Sequence, residues 1–147
     1  MMKKVMSLLF LSALAAPAFA DECTLTVEAN DAMQFNTKAL SVPATCKEVT
    51  LTLTHTGKLP VAAMGHNWVL TSTADFQDVA TAGMGAGPDN NYLPKDDARV
   101  LAHTKLIGGG ETTSISFPTE GLAGKDLTFF CSFPGHWAMM KGSFKVG

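Results

Sequence analysis

The chain has fewer basic than acidic residues, and it has few long apolar runs. Its 147 residues include 11 lysines and arginines against 13 aspartates and glutamates. Without Lys3 and Lys4, 9 basic residues face 13 acidic ones, a net charge of −4 with histidines neutral. No basic patch is available to bind nucleic acid. No segment after residue 20 approaches the roughly 20 apolar residues of a membrane span, so we expect neither nucleic acid nor membrane as a partner.

Residues 1–20 have the pattern of a secretory signal peptide. Two lysines precede an apolar run that ends in Ala18-Phe19-Ala20, a small-x-small cleavage signal. The following residues, 21–147, fit one domain, since domains commonly contain roughly 100 to 150 residues. We therefore predict an exported, periplasmic protein whose single mature domain starts at Asp21.

Cysteines are few and odd in number: Cys23, Cys46 and Cys131. Disulfides persist outside the cytoplasm, so two of the three should pair and one should remain. Cys131 lies among histidine and methionine residues, which makes Cys23 with Cys46 the economical pairing. A lone cysteine is most often a buried, inert thiol, and the neighbours of Cys131 decide whether that applies here.

Alternation of apolar and polar residues dominates the rest of the chain and predicts half-buried strands. Glycines and prolines separate these segments at turn positions, which indicates an all-β, Greek-key β-sandwich with short antiparallel connections. One stretch, Ser72 to Arg99, breaks the pattern. With Ser72 as N-cap and Asp75 three residues later, it predicts a short helical flap through Phe76. The predicted strand segments are CTLTVEA (23–29), EVTLTLTH (48–55), HNWVLT (66–71), TSISF (113–117) and GSFKV (142–146).

The segment CSFPGHWAMMKG, residues 131–142, places a thiol, an imidazole and a thioether in one loop. The ligand candidates are Cys131, His136 and Met140, with His66 upstream, directly before a predicted strand. Thiolate, two imidazoles and a distant thioether are typical of a trigonal copper site. Zinc would also accept cysteine and two histidines, so the choice of metal rests here on Met140 and the apolar loop around it.

The two remaining histidines, His55 and His103, are expected to be edge or surface residues. A copper oxidase or nitrite reductase would need a further cluster of histidines for a substrate-binding copper. These two lie on separate predicted strands, which argues against an enzyme.

Five segments together resemble the cupredoxin family, the small blue-copper electron carriers. They are the opening Glu22-Cys23, then NDAMQFNTKAL, MGHNWVL, YLPKDDARVLAHTKLIGGGE and FFCSFPGHWAMMKG, and they span the whole mature chain. The resemblance implies a cupredoxin-like sandwich and a disulfide between Cys23 and Cys46.

By the same resemblance, one copper would have His66, Cys131 and His136 as equatorial ligands and Met140 as the axial ligand. The carbonyl of Gly65 would make a weak contact opposite the thioether. Asn67 would join the two ligand loops, and the backbone amides of Asn67 and Phe133 would point at the cysteine sulfur, as donors that tune the potential.

The resemblance further implies a one-electron carrier between redox proteins such as c-type cytochromes or periplasmic reductases and dehydrogenases. Its docking surface would be an apolar ring around the exposed edge of His136, called here the His136 patch. Two other functions stay open, a periplasmic copper storage or delivery protein and a zinc-binding structural domain. Trp137 and Met139 depart from the family pattern within the patch, which comprises Met33, Leu59, Ala63, Met64, Met84, Phe133, Pro134, Trp137 and Met139.

Overall fold

Two β-sheets form the molecule, with strand orders β1-β3-β6 and β2-β8-β7-β4-β5. The structure, a computed structural model, describes residues 21–147, so the predicted signal peptide of residues 1–20 lies outside the described residues. The strands are β1 (Thr24–Ala29), β2 (Ala39–Val42), β3 (Glu48–His55), β4 (Val69–Ser72), β5 (Ala102–His103), β6 (Thr112–Pro118), β7 (Leu127–Phe130) and β8 (Lys141–Val146).

Alternation along the strands places the core between the sheets, as the sequence predicts. Val49, Leu51 and Leu53 of β3 are fully buried, whereas the threonines between them bond across to β6 on the outer face. Trp68 is fully buried and stacks near Phe117 of the smaller sheet. The prediction of an all-β sandwich is confirmed.

The strand directions differ from the expected antiparallel pattern in two places. β1 pairs with β3 in parallel, and β2 pairs with β8 in parallel. β1 and β3 belong to one sheet whereas β2, between them in the chain, belongs to the other. The alternation of apolar and polar residues indicates which face of a strand is buried. It does not indicate whether neighbouring strands are parallel or antiparallel, so these two pairings could not be predicted from it.

The predicted disulfide between Cys23 and Cys46 is present. It links the residue before β1 to the turn before β3, two neighbouring strands of the smaller sheet. Closing a loop with a sequence separation of 23 residues contributes about 3 kcal/mol by the chain-entropy estimate.

Two helices, α1 (Val61–Met64) and α2 (Phe76–Met84), and a 3₁₀ turn (Pro88–Asn90) complete the described chain. The helical flap is confirmed as α2, but it begins one turn later than the predicted cap. Ser72 caps a preceding turn instead, where its hydroxyl accepts from the Asp75 N–H and donates to the Asp75 carboxylate. Within residues 21–147 no helix is long and apolar enough to cross a membrane.

α2 covers the outer face of the larger sheet. All four residues of β7 are therefore buried, because the interior covers one face and the flap covers the other. This second cluster consists of Val69, Phe76, Val79, Ala80, Leu93 and Phe130, with Val100 and Trp137 at its margin.

Candidate metal centre

Residues 131–140, called here the ligand loop, connect β7 to β8 and are held together by hydrogen bonds within the loop. The backbone N–H of Cys131 donates to the carbonyl of Met140 at 3.1 Å, so the two ends of the loop lie side by side. Within it, the N–H groups of His136 and Met140 donate to the carbonyls of Phe133 and His136. Gly135 has φ = 83°, a left-handed conformation that glycine adopts without steric cost. Hydrogen bonds within the loop therefore shape much of its backbone.

The loop meets His66 at one end of the sandwich. The ligand atoms of His66, Cys131 and His136 all lie within 4.8 Å of one another. The sulfur of Cys131 is 3.8 Å from Nδ1 of His66 and 3.7 Å from Nδ1 of His136, and the carbonyl oxygen of Gly65 is 3.9 Å from the same sulfur. Met140 is fully buried at the end of the same loop.

These separations fit one ion bound by three donors. An ion bonded at about 2.0–2.1 Å to nitrogen and about 2.3 Å to sulfur, with bond angles between the tetrahedral and the trigonal value, needs nitrogen-to-sulfur distances of about 3.5–3.8 Å. The two distances here, 3.7 and 3.8 Å, lie in this range, so the residues present fit a His₂Cys centre.

Hydrogen bonds outside the donor set orient the His66 ring. Nε2 of His66 lies 2.7 Å from the carbonyl oxygen of Asn30. A carbonyl only accepts, so Nε2 carries the proton and Nδ1 keeps its lone pair facing the cysteine sulfur. A histidine ligand in proteins is usually fixed by such a bond from its second nitrogen.

The expectation that His55 is an edge or surface residue is wrong, because its side chain is fully buried. Nε2 of His55 donates to the carbonyl of Met64, and Nδ1 accepts from the Gly57 N–H. Both nitrogens are therefore used, which leaves none for a metal, and the ring packs 4.5 Å from the His66 ring. His103 is exposed, as expected.

Asn67 joins three loops. Its side-chain oxygen accepts from the Ser132 N–H at 2.8 Å, and its amide donates to the Ser132 hydroxyl at 2.7 Å. The amide also lies 3.2 Å from the carbonyl of Asn91, to which the Ser132 hydroxyl donates. The predicted connection between the loops of His66 and Cys131 is thus present, with Asn91 as an additional member.

Burial favours the electrically neutral forms of the three donor side chains. It raises the pKa of the Cys131 thiol to about 12, although the backbone N–H groups of Asn67 and Phe133 donate to the sulfur and oppose part of the rise. Burial likewise lowers the pKa of His66 to about 4 and lowers that of His136. At neutral pH both imidazoles have the form that binds metal, and only the thiol must lose a proton.

Gly65 lies where a side chain would not fit. A Cβ at this position would lie 2.6 Å from the carbonyl oxygen of Val61 and 3.1 Å from the Phe133 ring. The close approach of α1 and the ligand loop therefore requires glycine beside His66. It also holds the Gly65 carbonyl next to the cysteine sulfur.

His136 is the least buried of the four candidate ligands. His136 is 4% exposed, whereas His66, Cys131 and Met140 are fully buried. Met139 is the most exposed large apolar residue of the patch at 58%. Trp137 was expected to belong to the patch. Its ring also packs against Phe76 at the margin of the second cluster. Leu59 and Met84 are exposed as well, and Met33, Met64, Phe133 and Pro134 are half-buried.

Sequence reasoning missed several residues that support the centre. Asn30 contributes a backbone carbonyl, which any residue has, so its identity gave no signal. Asn91 has a left-handed conformation with φ = 54°, to which asparagine is prone, and only that preference could have marked it. Phe76 was predicted to lie on the flap, but its contact with Trp137 is visible only in three dimensions.

Comparisons with known proteins agree over the described domain. The sequence model of copper-binding proteins of the plastocyanin/azurin family matches residues 21–147. The azurin of Bordetella pertussis is 53% identical over 148 residues and that of Pseudomonas aeruginosa 51% over 147, each alignment covering 99% of both proteins. A solved azurin (Az-iso2) from the obligate methylotroph Methylomonas sp. strain J has a TM-score of 0.82 at 47% identity, over 85% of this chain and 98% of that one.

Proposed function

The chain belongs to the plastocyanin/azurin family of copper-binding proteins, and we propose that it is a periplasmic one-electron carrier between redox proteins. Copper is its cofactor. In this proposal Nδ1 of His66, Nδ1 of His136 and the thiolate of Cys131 would hold the copper. The thioether of Met140 would be a further, weaker ligand, and the carbonyl of Gly65 would make a weak contact.

The observation that carries the proposal is the convergence of the three donors, with nitrogen-to-sulfur distances of 3.7 and 3.8 Å. Cysteine and imidazole are ligands suited to both oxidation states of copper, and a trigonal set with a weak axial thioether is typical of electron-transfer sites. When bound, the copper would supply a reversible one-electron couple.

The protein's own residues keep the donors in place. The Asn30 carbonyl fixes the His66 ring, and Asn67 fixes the start of the ligand loop to the loop of His66. Backbone N–H groups directed at the Cys131 sulfur stabilise its negative charge. Donors held in this way need little rearrangement when the charge of the site changes, as a fast carrier requires.

Electrons would pass through the His136 patch. His136 is the candidate ligand with residual exposure, and the apolar residues around it allow a partner to approach closely. Such transient redox contacts bury little area, below about 1,200 Å² in total. Suitable partners are c-type cytochromes and periplasmic reductases or dehydrogenases that present a redox centre near their surface.

Burial of the ligands disfavours the alternative of copper storage or delivery. An exchangeable site would expose its ligands, whereas the four side chains proposed here are between 0 and 4% exposed. A structural zinc site would take its fourth ligand from cysteine, histidine or a carboxylate, whereas the fourth side chain here is the thioether of Met140, a soft sulfur that favours copper.

An absorption spectrum of the oxidised, copper-loaded protein tests the proposal. Charge transfer from thiolate to Cu(II) in a trigonal site should give an intense blue colour. The variant Cys131→Ser should fold and lose this colour. As a control, both proteins are also measured after reduction. Both should then be colourless, because the charge transfer requires Cu(II). A parent protein that takes up copper without turning blue, or a blue Cys131→Ser protein, would contradict the proposal.

A further inference from the structure

The ring of Phe76, the first residue of α2, contacts three side chains around the ligand loop. Its centroid lies 5.1 Å from that of Phe130 and 5.5 Å from that of Trp137. The ammonium of Lys141 lies 5.4 Å from the same centroid. Each of these three residues is next in the chain to one proposed ligand. Those ligands are, in the same order, Cys131, His136 and Met140.

The contacts reach the loop from the side opposite the metal centre. Cys131 belongs to the main core between the sheets, whereas its neighbour Phe130 belongs to the second cluster beneath α2. Phe130 is the last residue of β7 and Cys131 follows it directly, so a ring that holds Phe130 in place also restrains the backbone that carries the cysteine. Phe76 is itself buried, with 6% exposure.

The geometry of the contacts is specific to an aromatic ring. Phe76 meets Phe130 at an interplanar angle of 63° and Trp137 at 81°. Both are edge-to-face arrangements, which aromatic pairs prefer because the positive edge of one ring meets the negative face of the other. The Lys141 ammonium over the ring adds a cation–π contact. An aliphatic side chain at position 76 would fill space but would lack these preferred directions.

We propose that Phe76 is a positioning residue for the metal centre and that α2 thereby sets the geometry of the ligand loop. The ligand identities in this inference rest on the proposed function. Cys131 and Ser132 are additionally fixed by bonds to Met140 and Asn67. The backbone hydrogen bonds around His136 stay within the ligand loop. The contact between Trp137 and Phe76 connects this half of the loop to α2. The His136 half should therefore depend most on Phe76.

The first test uses metal-free protein, so it does not depend on which ion binds. Hydrogen exchange is measured by NMR at the amides of His136 and Met139, which are hydrogen-bonded within the loop. Phe76→Leu should accelerate their exchange about tenfold relative to the Leu51 amide of β3, because two directional ring contacts are lost. Phe117→Leu is the matched control. It also removes a buried ring, with 5% exposure, but from the smaller sheet. Because this sheet also contains the reference amide of Leu51, the control is judged on the exchange rates of the two loop amides themselves, which should stay unchanged.

A second variant covers the case in which Phe76→Leu does not fold. Trp137→Leu removes the other half of the main contact at a half-buried position and should raise the same exchange ratio. If Phe76→Leu folds, the double variant should exchange no faster than the faster single variant, since both act through one contact. An unchanged ratio in Trp137→Leu, or fully additive effects in the double variant, would overturn the inference.

The third measurement uses copper-loaded protein. Phe76→Leu should shift the reduction potential and the visible spectrum from those of the parent, while Phe117→Leu should leave both at parental values. Equal shifts in the two variants, or none in Phe76→Leu, would overturn the positioning role. A parent that never turns blue would contradict the proposed function alone, because the exchange experiment would still decide whether Phe76 orders the loop.

Discussion

Asn67 and Ser132 bond to each other through two hydrogen bonds. The Ser132 N–H donates to the Asn67 side-chain oxygen at 2.8 Å, and the Asn67 amide donates to the Ser132 hydroxyl at 2.7 Å. Both residues are fully buried. Because His66 precedes Asn67 and Cys131 precedes Ser132, this pair fixes two proposed ligands relative to each other.

Replacing Asn67 by leucine should therefore destabilise the metal-free protein. The change keeps the volume similar but leaves the buried N–H and hydroxyl of Ser132 with fewer partners, at about 1–3 kcal/mol for each unsatisfied group. We expect the free energy of unfolding to fall by about 2–4 kcal/mol, as measured by denaturant titration. Thr52→Val is the control, since it removes the bond to Ser114 on the outer face and should cost about 0.5 kcal/mol or less. Equal losses in the two variants would show that the pair has no special role.

Replacing Met140 by leucine should raise the reduction potential while copper and colour remain. Loss of a weak thioether donor in an apolar pocket penalises Cu(II) more than Cu(I). The swap conserves volume, so it should cost less than about 1.5 kcal/mol of stability. Met139→Leu is a matched control at a neighbouring position that is 58% exposed, and its potential should equal that of the parent. Voltammetry that shows the reverse order would make Met139 the axial candidate.

A charge in the His136 patch should slow electron transfer between two copies of the protein. Met64→Lys places like charges face to face and adds a desolvation cost when two patches meet. Lys47→Glu is the control. Lys47 is exposed immediately before β3, whereas α1, which contains Met64, follows the other end of this strand of 8 residues, about 26 Å away along the strand.

The expected result is slower self-exchange in Met64→Lys with nearly unchanged colour and potential, and parental exchange in Lys47→Glu. NMR line broadening in mixtures of oxidised and reduced protein gives the rates. If Met64→Lys exchanges as fast as the parent, electrons leave by another surface, and the exposed His103 is the next position to test.

The turn at Asp97 should make stability depend on acid pH. Hydrogen bonds from Arg99 lower the pKa of Asp97 to about 2. A folded-state pKa below the unfolded value of about 3.9 means that the folded protein favours the ionised carboxylate. The stabilisation is therefore fully present above about pH 4 and is lost as the pH falls through 2.

Asp97→Asn should accordingly be less stable than the parent at pH 7 and nearly as stable as the parent at pH 2, as shown by thermal unfolding of the metal-free proteins. Arg99→Gln should give a similar loss at pH 7, and the double variant should lose no more than either single one. A difference between Asp97→Asn and the parent that is constant from pH 7 to pH 2 would contradict the role of the charge.

Much of the structure could be predicted from local sequence patterns. The alternating Val49, Leu51 and Leu53 predicted a strand with one buried face, and the spacing of Cys131 to Met140 predicted a ligand loop. Both depend on interactions between residues that are near in sequence. The strand β7 was harder to recognise, because burial on both faces removes alternation.

Long-range geometry was outside the reach of these patterns. Nothing local to His55 distinguishes a surface residue from one buried against the His66 ring, since its burial depends on loops distant in sequence. The Asn30 carbonyl that orients His66 is likewise a backbone group of a remote loop. The resemblance to a known family indicated the candidate ligands and Asn67, whereas the contacts of Asn30 and His55 required coordinates.

The larger sheet depends on the last strand of the chain, β8, which pairs in parallel with β2. β8 directly follows Met140 and lies between β2 and β7 in the larger sheet, so that sheet is incomplete until the last residues of the chain are available. A polypeptide that emerges from its N-terminus presents His66 long before the ligand loop has a sheet to close upon. A chain truncated before β8 should therefore have every proposed ligand and yet bind no metal.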